Sequence, residues 1–445
     1  MKKYPITKIA TPAIVLFITL STSPALFSQT KILKWKDDKS ACVTLTYDDG
    51  SQNQFDIAIP IMDSLGLPGT FFINTGIIGG SKNLPTFVGR PIMEILNESK
   101  GLPTDSANVL ERSSMIRYLC EVQNIPELKG VDMYRIGSNL ERGSYDRVFK
   151  TVDEICNLLL GTNKKFSVIP GQPVSDFHTS WESLKKFAAR GHEFANHTIS
   201  HPHLSAMDEA NILYETEACR EDLETNLGAG HTLTIEAPFG IHDGRVMELL
   251  YPRYPFLRNR APEEYFMEIL RSNNTQPAKT GKEYIHWQRG PLSDTPYQQM
   301  AGWIDTSLKY NVWLVLVFHG IEGVGWEALP AETIRNYFGY IKEREGQIWV
   351  ATYRDAYKYI RERMASKPSQ AVSENEILVN LTNELDKKIY NLPLTLKTIV
   401  PGNWKKIQFK QGNKVAGLKP QIKNGESFVT YDALPGTEPV TLTKL

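Results

Sequence analysis

The chain has 445 residues, more than one ordinary core accommodates, so a large domain with a smaller companion is expected. Acidic and basic residues number 50 each, for a formal net charge of zero. That balance lacks the basic surplus with which proteins hold nucleic acid or an anionic membrane, and a neutral partner is expected instead.

In chain order, the first expected element is an export leader over residues 1–28. Lys2 and Lys3 precede an apolar stretch around Ile14 to Leu20, followed by small residues at Ala25 to Ser28. The mature protein is therefore expected to be exported, to the periplasm or the exterior. The apolar run is interrupted by Thr19, Ser21 and Pro24, and no later stretch is long enough to cross a bilayer, so no stable membrane span is expected.

From about Lys34 to Glu362 short apolar strands alternate with longer amphipathic helices, the pattern of an α/β fold with a parallel sheet or barrel. Strands are predicted at ACVTLTY from 41, GTFFINT from 69, HEFAN from 192, WLVLVF from 313 and IWVAT from 348. One helix runs through Trp181, Leu184 and Phe187 to a stop at Gly191, and another from about Met207 to Leu227 before Gly228. Residues 76–170 read as an insertion of helix and loop into the domain at 29–365, either a cap over one barrel end or a packing elaboration. Beyond Arg363, MASKPSQAVSENE reads as a polar linker. The segment 372–445 then carries short strands separated by QGNK, KNGE and PGTE, a small all-β domain. Its aromatics, Tyr390, Trp404, Phe409, Phe428 and Tyr431, are expected in its core, and packing is its expected role.

Cys42, Cys120, Cys156 and Cys219 show no Cys-x-x-Cys spacing. Cys156 shares a helical stripe with Val152, Ile155 and Leu159, and Cys219 with Ile212, Thr216 and Leu223, so buried thiols are expected.

Three segments carry candidate chemistry. TYDDG ends a strand with Asp48 and Asp49; Asp48 continues the face of Thr44 and Thr46, while Asp49 is directed differently as the chain turns. Neighbouring carboxylates in distinct settings can do different work, one binding a cation and the other accepting a proton. HTISHPH sets His197 and His201 four apart after a strand, where one turn presents both imidazoles to one point. A carboxylate would complete a three-ligand site for a divalent metal. His203 reads as a bystander, since Pro202 turns the chain. VFHG ends a third strand with His319, a position suited to a proton donor.

Together, TYDDG, HTISHP and VFHG, with GTFFINTG and WESLKKFAARGHEFANH between them, resemble the polysaccharide deacetylases of the NodB-homology, carbohydrate esterase family 4 group. The resemblance covers roughly residues 34–362 without the insertion. It implies a distorted (β/α)7 barrel acting on an acetylated carbohydrate, most commonly an N-acetylated glycan and in some members an O-acetylated xylan. It implies Asp48 as general base, His319 as general acid, and Asp49, His197 and His201 as ligands of a divalent metal, zinc by default with cobalt or nickel as alternatives. The family's third motif, matched here by APFG, implies that the N–H of Phe239 steadies the oxyanion. His319 is expected to titrate near neutrality, close to the ordinary histidine value.

The chain departs from the pattern in one place. An arginine normally stands two residues before the third motif's proline, beside the catalytic aspartate, whereas this chain has Glu236. A replacement cation is expected from Arg258, Arg260 or Arg289, with Arg260 preferred; Glu236 either faces another group or contacts substrate. This departure also motivates a second reading, a carbohydrate-binding protein that has lost turnover. Asp305 is the nearest acid to orient His319, although a surface helix position fits it better. Trp326 either lines an acetyl pocket or packs in the core.

Overall fold

The computed structural model describes residues 29–169, 171, 179–241, 243–436 and 438–445. The expected leader at 1–28 lies outside these. Among the described residues no helix is long and apolar enough to cross a membrane.

Ala41–Tyr47 is the central strand of a nine-stranded parallel sheet, and every residue in it is buried. Parallel strands covered on both faces read as continuous apolar runs, which explains why ACVTLTY and WLVLVF stand out in the sequence. On one side the sheet continues through Thr70–Ile73, Glu193–Asn196, Thr234–Ile235 and Phe256–Leu257; on the other through Trp313–Phe318, Tyr284–Arg289 and Phe266–Ile269. Ile348–Val350 pairs with the first residues of Ala41–Tyr47. The sheet curls into a distorted barrel with helices around it, as expected. It carries nine strands rather than seven, and its two end strands, Phe256–Leu257 and Phe266–Ile269, do not pair with each other.

The alternation of side chains along Ala41–Tyr47 divides two cores. Val43, Leu45 and Tyr47 pack with Phe71, Phe194, Leu316 and the helices at Ile59–Leu65 and Ala331–Lys342. Cys42 faces the other way, toward Trp313, Phe266 and Tyr353. Thr44 and Thr46 share the side of Cys42 and are satisfied there: Trp313 Nε1 donates to Thr44 Oγ1 at 2.9 Å, and Thr46 Oγ1 donates to the Leu316 carbonyl at 2.9 Å.

The insertion folds into four α-helices, Ile92–Glu98, Val109–Arg117, Met133–Glu141 and Tyr145–Gly161, joined by shorter turns around their own apolar core. Cys156 sits in that core with Val152, Ile155 and Leu159. Cys42, Cys156 and Cys219 are buried, Cys120 is half-buried, and all four are free thiols.

The C-terminal strands form two antiparallel sheets that share one core containing Ile377, Leu396, Phe409, Tyr431 and Leu442. Tyr390, Trp404, Phe409, Phe428 and Tyr431 are all buried. Two features differ from the sequence reading. The expected linker is in part a strand, Lys367–Val372, paired antiparallel with Glu376–Thr382; its polar composition reflects an exposed edge position. And Thr30–Ile32, which precedes the barrel in sequence, pairs with Leu394–Ile399 and so belongs to the β domain.

Two histidines outside the proposed ligand set make the fold acid-sensitive. Burial lowers His203 and His231 from 6.5 to about 4, so the fold favours their neutral forms. At neutral pH neither the folded nor the unfolded chain holds these protons. As pH falls from about 6.5 toward 4 the unfolded chain binds them first, and stability is lost by about 3 kcal/mol per histidine. Thermal melting followed across that window should show a falling midpoint; a flat one would contradict the assignment.

Candidate active site

Residues that directly follow the parallel strands converge at one end of the barrel: Asp48, Asn74, His197, Glu236, Arg258, Leu270 and His319. Most of them line a cavity of about 530 Å³, together with Asp49, His201, Phe239, Arg271, Gln288 and Trp326. The strand ends supply the positions, and the turns after them supply the directions.

Asp49 adopts φ 75°, which swings its carboxylate away from Asp48 toward the histidine loop. Its Oδ1 lies 3.2 Å from His201 Nε2 and 3.6 Å from His197 Nε2, and the three ligand atoms all fall within 4.8 Å of one another. Two ligands each about 2.1 Å from a tetrahedral ion stand roughly 3.4 Å apart, so the spacing fits a divalent metal. His197 Nδ1 faces the Glu236 carbonyl at 2.9 Å, which leaves Nε2 free for an ion. Burial alone would raise the Asp49 carboxyl, but hydrogen bonds and charge from His197 and His201 hold it well below the usual carboxylate range.

The backbone between the two histidines is held by Glu215 on the helix Glu209–Leu227. Its Oε2 accepts from the N–H of Ile199 and of Ser200, each at 3.0 Å, and its Oε1 accepts from Ser200 Oγ at 2.5 Å. Arg117 of the insertion pairs with Glu215 at 3.1 Å, both side chains being almost fully buried, and also donates to Ser200 Oγ. The insertion therefore grips the histidine loop. It also sends Tyr134 into the cavity, edge-on to Phe239 at 5.1 Å between centroids.

Asp48 meets the missing cation. Arg258 Nη1 donates to Oδ1 at 2.8 Å and Nη2 to Oδ2 at 2.6 Å, while Nη1 also reaches Thr46 Oγ1 at 2.8 Å. This bidentate fork fixes the carboxylate plane. Burial pushes the Asp48 carboxyl up, and the charges of Arg258 and His319 more than offset it, so the group stays below its ordinary value. Arg260 was the preferred replacement, and the structure corrects this: its side chain is exposed and its carbonyl accepts from Tyr251. The reason is register. Arg258 immediately follows the strand Phe256–Leu257 and faces the cavity, and the chain has turned away two residues later. Arg289 is spent elsewhere, on the carbonyls of Leu270, Asn273, Thr275 and Gln288.

Glu236 is buried on the far side of the same guanidinium, 3.3 Å from Arg258 Nε. Asn259 Nδ2 donates to Glu236 Oε1 at 2.5 Å and in turn accepts from Gln288 Nε2 at 2.7 Å. Burial, opposed by Arg258 but reinforced by Asp48, pushes the Glu236 carboxyl up to about 8. One arginine thus serves an ionised Asp48 while Glu236 retains its proton at neutral pH.

His319 Nε2 stands 3.6 Å from Asp48 Oδ2, with the ring edge-on to Trp326 at 4.6 Å. Its expected titration near neutrality is corrected: burial, only partly opposed by Asp48, lowers it to about 4. Asp305 does not orient it, because that side chain accepts from Tyr340 and lies 3.8 Å from Arg344. Gln54 ties the two strand ends together instead, its Nε2 donating to the carbonyls of Asp48 at 2.5 Å and His319 at 2.9 Å. Phe239 adopts φ 65° and places its ring edge-on to His201 at 4.6 Å; His203, buried beneath, stacks on it at 5.4 Å. Trp326 is half-exposed at the cavity rim rather than in a core.

Gln54, Tyr134, Asn259 and Gln288 went unnoticed in the sequence. Gln54 stands six residues after Asp48 in DDGSQNQ, but an amide in a polar turn carries no signature. Tyr134 comes from the insertion, where no spacing relates it to the barrel.

Comparison with known proteins adds three observations. Residues 149–251 match the family model described as polysaccharide deacetylase; the matched segment includes His197, His201, Glu236 and Phe239 but neither aspartate nor His319. A gellan lyase from a Bacillus species is 24% identical over 279 residues, which is 59% of this chain and only 11% of that protein. Among solved structures, a Mycobacterium smegmatis protein is 13% identical with a TM-score of 0.38, covering 77% of this chain and 98% of the other. A family 4 carbohydrate esterase from Bacillus anthracis is 12% identical at a TM-score of 0.32, covering 71% of this chain and 82% of the other. The Xyl-CE4 domain of a multidomain xylanase from the hindgut metagenome of Trinervitermes trinervoides is 11% identical at a TM-score of 0.32, with coverages of 72% and 90%.

Proposed function

We propose that this chain, polysaccharide deacetylase in sequence over residues 149–251, hydrolyses acetyl groups from an N-acetylated glycan with a divalent metal, zinc first, held by Asp49, His197 and His201. The observation that carries the reading is the division of labour between adjacent aspartates. Asp49 faces two imidazoles, and Asp48 is pinned by Arg258 beside His319 in the same cavity. When bound, the ion supplies Lewis acidity toward the acetyl carbonyl and lowers the pKa of a water.

The chain's own groups then manage the proton. Asp48, ionised at neutral pH, accepts it from the attacking water. Its Oδ2 is 3.6 Å from His319 Nε2, so the proton passes to the neutral imidazole and from there to the departing amine. This relay needs no histidinium at the start, which agrees with burial keeping His319 neutral, and the net protonation of the pair is restored at the end of the cycle. The N–H of Phe239 is the proposed donor to the oxyanion. Trp326, edge-on to His319, offers an apolar wall for the acetyl methyl.

The alternative of a binding protein without turnover rested on Glu236. Arg258 removes that motive, because the aspartate has its cation and Glu236 sits behind it. Export is proposed from residues 1–28 alone. The test is acetate release from N-acetylated chito-oligosaccharide and from O-acetylated xylan, with and without chelator. Release from the first, abolished by chelator and restored by zinc, is expected. Release from xylan alone would reassign the enzyme as an O-acetyl esterase, and no release from either would overturn the reading.

A further inference from the structure

Arg271 directly follows Leu270 at the open seam of the barrel and lines the same cavity as Asp48 and His319. Its guanidinium lies over the Trp326 indole, 5.2 Å from the centroid, and the opposite edge of that contact network is the His319 ring. Among the described residues no acidic group stands within ion-pair distance of it. Both oxygens of Asp48 are taken by Arg258, and Asp49 faces the two histidines. Its side chain is exposed at the cavity mouth, and Asp48, Glu236 and Asp49 act on its charge through space without pairing with it.

The position is built rather than incidental. The buried Arg289 donates to the carbonyls of Leu270 at 3.4 Å, Asn273 at 2.9 Å and Thr275 at 2.7 Å, which clamps the turn that carries Arg271. Gly290 makes room for the arginine stem, since a Cβ there would come within 2.6 Å of Arg271 Cδ. The Trp326 backbone is held in turn by a hydrogen bond of 2.8 Å from the Gly320 N–H to its carbonyl. A guanidinium over an indole, beside the reacting groups and with no ion pair among the described residues, can donate two N–H groups at once to an oxyanion.

We infer that Arg271 recognises an oxyanion, a carboxylate or a sulfate, carried by the sugar that is deacetylated or by its immediate neighbour. This rests on the deacetylase reading above and adds its substrate class, an acidic glycan. Only one indole separates Arg271 from His319, so the anionic group lies close to the acetyl group in the chain of sugars.

Calorimetric binding to the full protein tests the assignment independently of turnover. The probes are an unacetylated uronic-acid oligosaccharide, its methyl ester, and a sulfated neutral oligosaccharide of the same length. At least one anionic probe should bind about tenfold more tightly than the methyl ester, and Arg271→Gln should erase that difference. The stronger of the two anionic probes identifies the source of the oxyanion. Equal affinities in the wild-type protein overturn the inference, as does a preference that survives in Arg271→Gln. If that variant fails to fold, the wild-type comparison of acid and ester decides alone. Acetate release is scored separately, and its absence counts against the deacetylase reading without altering the binding result.

Discussion

Asp48→Asn is expected to lower acetate release roughly a hundred- to ten-thousand-fold while the protein still binds its metal. The substitution keeps the shape of the side chain and removes its basicity. Asp49, His197 and His201 are untouched, and the Asp49 carboxylate already points away from position 48 because of its positive φ. Steady-state acetate release and metal content measured on one preparation separate the two roles. If both properties were lost together, Asp48 would be a ligand, and the division of labour between the aspartates would be wrong. If neither changed, the proton would leave by another route.

Arg258→Met should cost about 3–5 kcal/mol of stability, because it leaves the buried Asp48 carboxylate without its cation. With the guanidinium gone, burial would drive the Asp48 carboxyl upward. The acid limb of the pH–rate profile should then move to higher pH, since a protonated Asp48 cannot accept a proton from water. Glu236 retains its proton at neutral pH, so adding Glu236→Gln to Arg258→Met should change stability little. Denaturant titration of the single and double variants gives the coupling directly. A large recovery in the double variant would mean that Glu236 is ionised, contrary to the burial that holds its proton.

The parts of this architecture that were legible in the sequence are those with a short-range physical signature. Apolar runs such as ACVTLTY and WLVLVF appear because both faces of a parallel strand are covered, and a histidine pair four residues apart appears because one turn presents both rings. Arg258 was visible only as one of three arginines. Choosing it requires knowing that Phe256–Leu257 is a strand, and two residues are too few to leave a periodic pattern. The neutrality of His319 was illegible for a different reason: it depends on how completely other chain segments bury the ring. The strand Lys367–Val372 was hidden because an edge strand with exposed faces has the composition of a linker. Arg117 was hidden because its partner, Glu215, lies almost a hundred residues downstream and the pair makes sense only in three dimensions.

The pairing of Thr30–Ile32 with Leu394–Ile399 joins a segment before the barrel to one after it. This strand is made before the barrel and its partner only after it, so the edge it offers stays open while the barrel is synthesised. Contacts of such long sequence separation form late because loop closure must precede them. The barrel can gather its parallel strands beforehand, and the β domain then closes over the segment that precedes the first barrel strand.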